Sequence, residues 1–243
     1  MPEPIEFDSL LLETVKRTED IWSFRFLRPP EAEFRPGQFF QLLLPTDGGW
    51  SAHYLSFSSS PRENAFLECT KRLSGSDYSR LLRGLRPGDE VRIRMPMGKF
   101  IYEGSPERVV FIAGGIGITP FRSIIATLAA GRVPCRPTLL YCARSGNDLI
   151  FTEDFAAFSR RLPGLDTVYF AETGDFPSGG RGRRGRLTPE SVGEEIPDYL
   201  RVPFYLCGPP AMVEAVENAL ATELSVDKSA IIKESLAGYG GRE

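Results

Sequence analysis

The stretch Val109-Val-Phe-Ile-Ala-Gly-Gly-Ile-Gly-Ile-Thr-Pro120 decides how the rest of the chain is read. Its first five residues are apolar and mostly β-branched or aromatic, the pattern of a fully buried strand. Glycines at 114, 115 and 117 then let the backbone turn sharply and approach a bulky ligand. Thr119 is a good N-cap and Pro120 suits the first helical position, so a helix is expected to start there. A helix N-terminus beside a glycine turn, at the C-terminal end of a parallel strand, is a place for a pyrophosphate. The dehydrogenase pattern G-x-G-x-x-G differs, because proline stands where its last glycine would be. Taken alone, the motif also reads as a tight strand–helix turn with no ligand.

Downstream of this stretch, strands and helices alternate. Helix is expected over Thr119–Ala130, strand over Thr138–Cys142, helix over Thr152–Arg161 and strand over Thr167–Ala171. A short helix near Pro189, strand Phe204–Cys207, helix Pro210–Leu224 and strand Ala230–Lys233 complete the series. Such alternation with short connections means a parallel α/β sheet. Upstream, short β-branched and aromatic runs lie between turn signals: Leu10–Val15, Trp22–Leu27, Phe39–Leu44, Phe66–Thr70 and Val91–Met95. One helical stretch, Ser76–Leu85, interrupts them. This spacing predicts an antiparallel β-barrel with a capping helix. The pattern changes near Gly104, so two domains are expected, residues 1–104 and 105–243.

The 243 residues are 42% hydrophobic and 25% charged, an ordinary globular balance that suits two domains each with its own core. A net charge of −3 is too small to argue for nucleic acid or a membrane surface as a partner. No apolar run approaches the ~18 residues of a membrane span. The start, Met1-Pro-Glu-Pro-Ile-Glu, lacks a basic segment followed by an apolar one, so a cytoplasmic protein is the default expectation. Cys69, Cys135, Cys142 and Cys207 are too scattered for a locally spaced iron–sulfur cluster, and His53 is the only histidine, so no metal site is expected. Redox chemistry would then need a bound organic cofactor.

Six motifs occur in order: Pro36-Gly-Gln-Phe39, His53-Tyr-Leu-Ser-Phe-Ser-Ser-Ser-Pro61, Pro96-Met-Gly-Lys-Phe100, the run from Gly115 to Pro120, Cys207-Gly-Pro-Pro-Ala-Met212 and Glu234-Ser-Leu-Ala-Gly-Tyr239. Together they resemble the ferredoxin–NADP reductase superfamily of flavoprotein reductases, over nearly the whole chain. The resemblance implies an N-terminal barrel that binds FAD and a C-terminal domain that binds NADPH or NADH, with hydride passing from nicotinamide C4 to flavin N5.

The resemblance also implies roles. The family's flavin motif is arginine, any residue, tyrosine, then serine or threonine. In this chain His53 stands at the arginine position and Leu55 at the tyrosine position, and Ser56 matches the serine that hydrogen-bonds near flavin N5. Leucine can cover a flavin face without π overlap, and a neutral imidazole weakens the charge facing the phosphate. Tyr54 is the alternative stacking ring if the register slips by one. Thr70, Lys71 and Arg72, with Tyr78 and Ser79, match the stretch that meets the FAD pyrophosphate at the barrel's helix. Cys207, followed by Gly208 and Pro209, matches the cysteine beside the nicotinamide. Glu234 matches a polar contact near the nicotinamide–flavin junction. Tyr239 belongs to the family's shielding tail, in which Leu236 replaces the usual phenylalanine.

A ribose 2′-phosphate calls for arginine forks. Arg144-Ser145 follows the second strand of the nucleotide domain, and Arg183, Arg184 and Arg186 offer further charge, which favours NADPH over NADH. Two functions follow. The first is a single-flavin reductase that passes electrons singly to a separate acceptor protein, such as a ferredoxin or an oxygenase component, or to a small quinone or free flavin. The second is a nucleotide- or flavin-binding subunit of a larger redox complex with little turnover of its own. FMN remains an alternative to FAD.

Overall fold

The structure is a computed structural model and describes residues 3–236. It divides into two compact units, one of Met1–Glu103 with Arg122–Thr127, the other of Gly104–Phe121 with Leu128–Glu243.

The first unit holds strands β1 (Ile5–Lys16), β2 (Ile21–Leu27), β3 (Phe39–Thr46), β4 (Gly49–Ser56), β5 (Phe66–Arg72) and β6 (Glu90–Met97), with helix α1 (Asp77–Gly84) between β5 and β6. They form one antiparallel sheet in the order β4-β3-β6-β1-β2-β5. Its two end strands approach through a single bridge, Phe57 with Cys69, so the expected barrel is a curled sheet closed at one point. Phe24, Phe26, Phe40, Leu42, Phe57, Leu67 and Ile93 fill the inside and are fully buried. Phe57 stacks between Phe34 and Phe40, with ring centroids 3.9 and 4.6 Å away. Burying one such ring contributes about 2–3 kcal/mol. Helix α1 starts at Ser76, whose side chain accepts from the Ser79 amide, and it turns Tyr78 and Leu82 onto this core.

Strand β4 has no counterpart among the expected strands. Its exposed positions Trp50, Ala52 and Tyr54 are largely apolar while Ser51 and His53, which face the inside, are polar, so the period-two pattern of a half-buried strand is inverted in the sequence.

The second unit is the expected α/β sheet. Its elements are β7 (Arg108–Gly114), α2 (Ile118–Gly131), β8 (Arg136–Ser145), α3 (Thr152–Ser159), β9 (Asp166–Thr173), β10 (Arg181–Arg184), α4 (Pro189–Glu195), β11 (Phe204–Gly208), α5 (Pro210–Asn218) and β12 (Ile231–Ser235). All pairs are parallel, in the order β10-β9-β8-β7-β11-β12. Strand β7 is covered on both faces, which explains its unbroken apolar run. Two boundaries differ from expectation. Helix α2 begins at Ile118 out of a 3₁₀ turn over Gly115–Gly117, so Thr119 and Pro120 sit inside its first turn. The Thr119 hydroxyl donates to the Ile116 carbonyl instead of capping (3.1 Å), and Pro120 still falls where a missing N–H costs nothing. Helix α5 ends at Asn218 and runs into a π-type turn, Ala219–Glu223.

Candidate nucleotide and flavin sites

In the second unit the strand order reverses beside β7: the chain proceeds outward through β8, β9 and β10, then returns to the other side with β11 and β12. A crevice beyond the carboxyl ends of the strands at such a reversal is the general ligand site of open α/β sheets. The loops that border it are the glycine turn after β7 and Gly208-Pro209-Pro210 after β11. They pack backbone to backbone. A methyl group on Gly117 would collide with the Cys207 carbonyl and lie 2.7 Å from Gly208 Cα. Gly115, by contrast, has φ +52° and nothing within 4 Å of a would-be Cβ, so its backbone faces open space. An open glycine turn at the start of an α-helix leaves room for a pyrophosphate cradle.

Cys207 and Glu234 are direct partners across β11 and β12 at the same end of the sheet. Cys207 is fully buried, and burial together with Glu234 raises its thiol well above the ordinary range. Burial pushes the Glu234 carboxyl up to about 7. One of its oxygens, Oε2, is buried with no hydrogen-bond partner among the described residues. A buried acceptor without a donor asks for one from a bound molecule. The glycine cradle and this orphaned carboxyl oxygen fit a nicotinamide nucleotide. Gly208 is buried and Pro209 exposed at the rim. Tyr239 lies outside the described residues.

The arginines named for a 2′-phosphate separate into two groups. Arg144 is exposed at the end of β8, and Ser145 caps the next turn by accepting from the Asn147 amide. Arg184 lies over the Phe176 ring, 4.7 Å from its centroid. Arg183 and Arg186, expected to add charge for a phosphate, are instead held in ion pairs. Arg183 meets Glu194 and Glu195, and Arg186 meets Glu172. The glycine–arginine segment is an edge strand, β10, and its alternating arginines reach carboxylates on β9 and α4 and in their vicinity.

In the first unit, β4 places His53 and Leu55 opposite Leu42 and Phe40 on the inward face of the sheet. The His53 ring lies on Tyr78 of α1, with centroids 4.0 Å apart. Burial, and then the nearby charge of Lys71, hold its imidazole below the ordinary histidine range. Lys71 is itself buried, and burial lowers its ammonium. Ser79 is buried beside the Ser76 cap and accepts from the Ser74 amide. His53, Lys71, Tyr78 and Ser79 are therefore one group at the start of α1. Ser56, at the end of β4, is almost fully buried. An ammonium, an imidazole and a helix start form a donor set, with the Tyr78 ring packed against the imidazole, that fits a phosphate-bearing flavin.

Three of the residues expected with them do not join. Tyr54 pairs with Gln41 on the outward face, 63% exposed and edge-on to Phe39, so it is parted from His53 by the period-two alternation of the strand. Thr70 and Arg72 alternate with Lys71 along β5 and so point away from it. Thr70 bonds Ser23 and Ser58, and Arg72 pairs with Asp20. A further cluster, absent from the sequence reading, surrounds the fully buried Glu68, which takes hydrogen bonds from Arg17, Arg25 and Ser58. Its one visible signal is an acid in the middle of the apolar run Phe66-Leu-Glu-Cys69.

Among the described residues, no group of three or more histidine, cysteine, aspartate or glutamate side chains is placed to hold a metal. No helix among them is long and apolar enough to cross a membrane.

The architecture thus defines an antiparallel flavin-type unit followed by a nucleotide-binding α/β unit. Residues 9–102 match the oxidoreductase FAD-binding domain family, and residues 111–218 match the oxidoreductase NAD-binding domain family. The chain is 32% identical to the stachydrine N-demethylase reductase subunit of Rhizobium meliloti (strain 1021), an alignment that covers 96% of this chain and 68% of the relative. It is 34% identical to the reductase component of propane 2-monooxygenase from Rhodococcus jostii (strain RHA1), with 84% and 56% covered. A ferredoxin NADP+ reductase from Neisseria gonorrhoeae, solved with bound FAD and NADP, shares the fold at a TM-score of 0.74 and 23% identity, with 95% of this chain and 98% of that one covered. The chain belongs to the ferredoxin–NADP reductase superfamily of flavoprotein reductases. It spans about half to two thirds of the length of the first curated relatives that it matches.

Proposed function

We propose that the protein is a reductase that takes hydride from NAD(P)H onto FAD and passes electrons to a separate acceptor protein, a ferredoxin or an oxygenase component. The observation that carries this reading is the strand reversal, where the open Gly115 turn lies at the same end of the sheet as Cys207 and the Glu234 carboxyl, one oxygen of which has no partner among the described residues. The reductase subunits among the relatives support an oxygenase-type acceptor. A flavin, when bound, accepts a hydride and releases single electrons, which suits such a partner.

The residues divide the work. Gly115 and Gly117 give the nucleotide's pyrophosphate backbone amides at the start of α2. Cys207, neutral and small, shapes the nicotinamide pocket, and Glu234 supplies a polar contact there whose protonation changes near neutral pH. Arg144, exposed beyond β8, favours NADPH by pairing with a 2′-phosphate. Lys71, His53 and Ser79 hold the flavin's phosphates, Leu55 covers a flavin face, and the Ser56 hydroxyl meets the flavin ring. We place the domain boundary near residue 104 and the protein in the cytoplasm.

The test is steady-state oxidation of NADPH by the FAD-loaded protein with a plant-type ferredoxin as acceptor. The account expects two ferredoxins reduced for each NADPH consumed. Binding of NADPH without turnover, with this or a small quinone acceptor, would instead assign a non-catalytic nucleotide-binding subunit.

A further inference from the structure

Strand β4 ends at Ser56, and the chain continues as Phe57-Ser58-Ser59-Ser60 along the edge of β5. Glu68 holds Ser58 and Ser59 of this crossing by four hydrogen bonds, and the Ser58 carbonyl also accepts from Arg122 at 2.7 Å. The Glu68 carbonyl accepts from the Ser58 and Ser59 amides at 2.8 and 3.3 Å. Its own amide donates to the Ser59 hydroxyl at 2.9 Å. Its carboxylate accepts from the Ser58 hydroxyl at 2.8 Å. The side chain is fully buried, and its other oxygen accepts from Arg25 (2.7 Å) and Arg17 (3.3 Å).

The direction of the hydroxyl bonds follows from donor counting. A carboxylate only accepts, so the single Ser58 proton is committed to Glu68. Ser58 must then accept from Thr70 at 2.9 Å, and Thr70 from Ser23 at 2.7 Å. Ser23 accepts from Arg17 Nε at 2.9 Å, and Arg17 closes the loop on Glu68. Every hydroxyl in the ring donates once and accepts, in one sense. Apolar replacements of buried ion clusters are often no less stable, so such a cluster is weak evidence for stability. What it adds is a fixed register and orientation for the chain two residues beyond Ser56.

We propose that Glu68 is a positioning residue for the flavin, acting through Ser58 to hold Ser56 and the end of β4 in the geometry that flavin binding requires. This rests on the reading of β4 as the flavin strand. Glu68 touches no part of that site itself. Replacing Glu68 with glutamine puts an amide donor against arginine donors or against the Ser58 proton, and breaks the ring at its acceptor. Replacing Ser58 with alanine removes the link and leaves the Glu68–arginine pairs in place.

The experiment compares wild type, E68Q and S58A by FAD fluorescence titration of the apoprotein, by the visible circular dichroism of the bound flavin, and by thermal unfolding of the apoprotein. The expected result is at least a tenfold rise in the FAD dissociation constant in both variants, with an altered visible dichroism and unchanged NADPH affinity. If S58A folds and binds FAD with wild-type affinity and dichroism, the proposal is overturned, whatever happens to E68Q. Loss of thermal stability in E68Q with wild-type affinity in its folded fraction would also overturn it and leave Glu68 a purely structural residue. Failure of the wild type itself to take up FAD would refute the flavin reading instead, which separates the two failures.

Discussion

Cys207 and Glu234 stand side by side as register partners on β11 and β12, a fully buried thiol beside a carboxyl with one orphaned oxygen. Burial raises both groups, and Glu234 adds to the cost of charge on Cys207. Burial already disfavours the Glu234 carboxylate, and that carboxylate in turn disfavours a Cys207 thiolate. The Cys207 thiol therefore stays neutral, and the Glu234 carboxyl keeps its proton well above the ordinary carboxylate range.

The raised Glu234 value sets a sign for pH dependence. Between the ordinary 4.5 and about 7 the unfolded chain has released this proton while the folded chain keeps it. Stability from this group is therefore present at low pH and is lost as pH rises through that window, by roughly 1–3 kcal/mol. Glu234→Gln removes the loss. Thermal midpoints measured from pH 5 to 8 should diverge, with the variant the more stable at pH 8; parallel curves would contradict the assignment. Iodoacetamide at pH 8 should leave Cys207 of the native protein unlabelled and label it once the chain is unfolded.

Two glycines in one turn should respond differently to the same substitution. Gly117→Ala drives a methyl into the Cys207–Gly208 backbone, which cannot yield, and should destabilise the second unit by more than about 2 kcal/mol. Gly115→Ala meets no atom and costs only the left-handed φ, about 1–2 kcal/mol. Its methyl occupies the cradle, so NADPH binding should weaken at least tenfold while most of the fold survives. Calorimetry of both variants with and without NADPH distinguishes them. Equal effects on stability would contradict the packing argument.

His53 is held below the ordinary histidine range, so it is neutral at pH 7 and gains charge only as pH falls further. If it faces a phosphate, FAD affinity should rise as pH drops from 7 to 5, and His53→Ala should flatten that slope. Unequal stability of the free protein is controlled by repeating the titration with riboflavin, which carries no phosphate. A riboflavin slope equal to that of FAD would remove His53 from the phosphate site.

Arg144 gives the cofactor prediction. Arg144→Ala should raise KM for NADPH about tenfold and leave KM for NADH nearly unchanged, because only the former carries the 2′-phosphate. The same change for both cofactors would assign Arg144 to the common part of the nucleotide.

How far the sequence could be read depended on which force shaped each part. The apolar run Val109–Ala113 and its glycine turn announced a buried parallel strand and a ligand loop, because burial on both faces and close backbone packing leave direct marks on residue choice. The register that makes Cys207 and Glu234 partners left none, since it depends on where two strands distant in sequence meet. Strand β4 escaped detection because its outward residues Trp50, Ala52 and Tyr54 break the alternation. The arginines of residues 181–186 show only as positive charge in the sequence, and the pairing of Arg183 and Arg186 to Glu194, Glu195 and Glu172 depends on the sheet. Thr70, Lys71 and Arg72 follow one another in the stretch that matches the family's pyrophosphate segment, and the strand's alternation turns Thr70 and Arg72 to the face opposite Lys71.

The most direct test is an anaerobic titration of the FAD-reconstituted protein with NADPH, followed by visible absorption. The account predicts a flavin band that bleaches at about one equivalent of NADPH, as expected for a two-electron hydride acceptor. A protein that takes up no flavin, or a bound flavin that NADPH leaves oxidised, would contradict it.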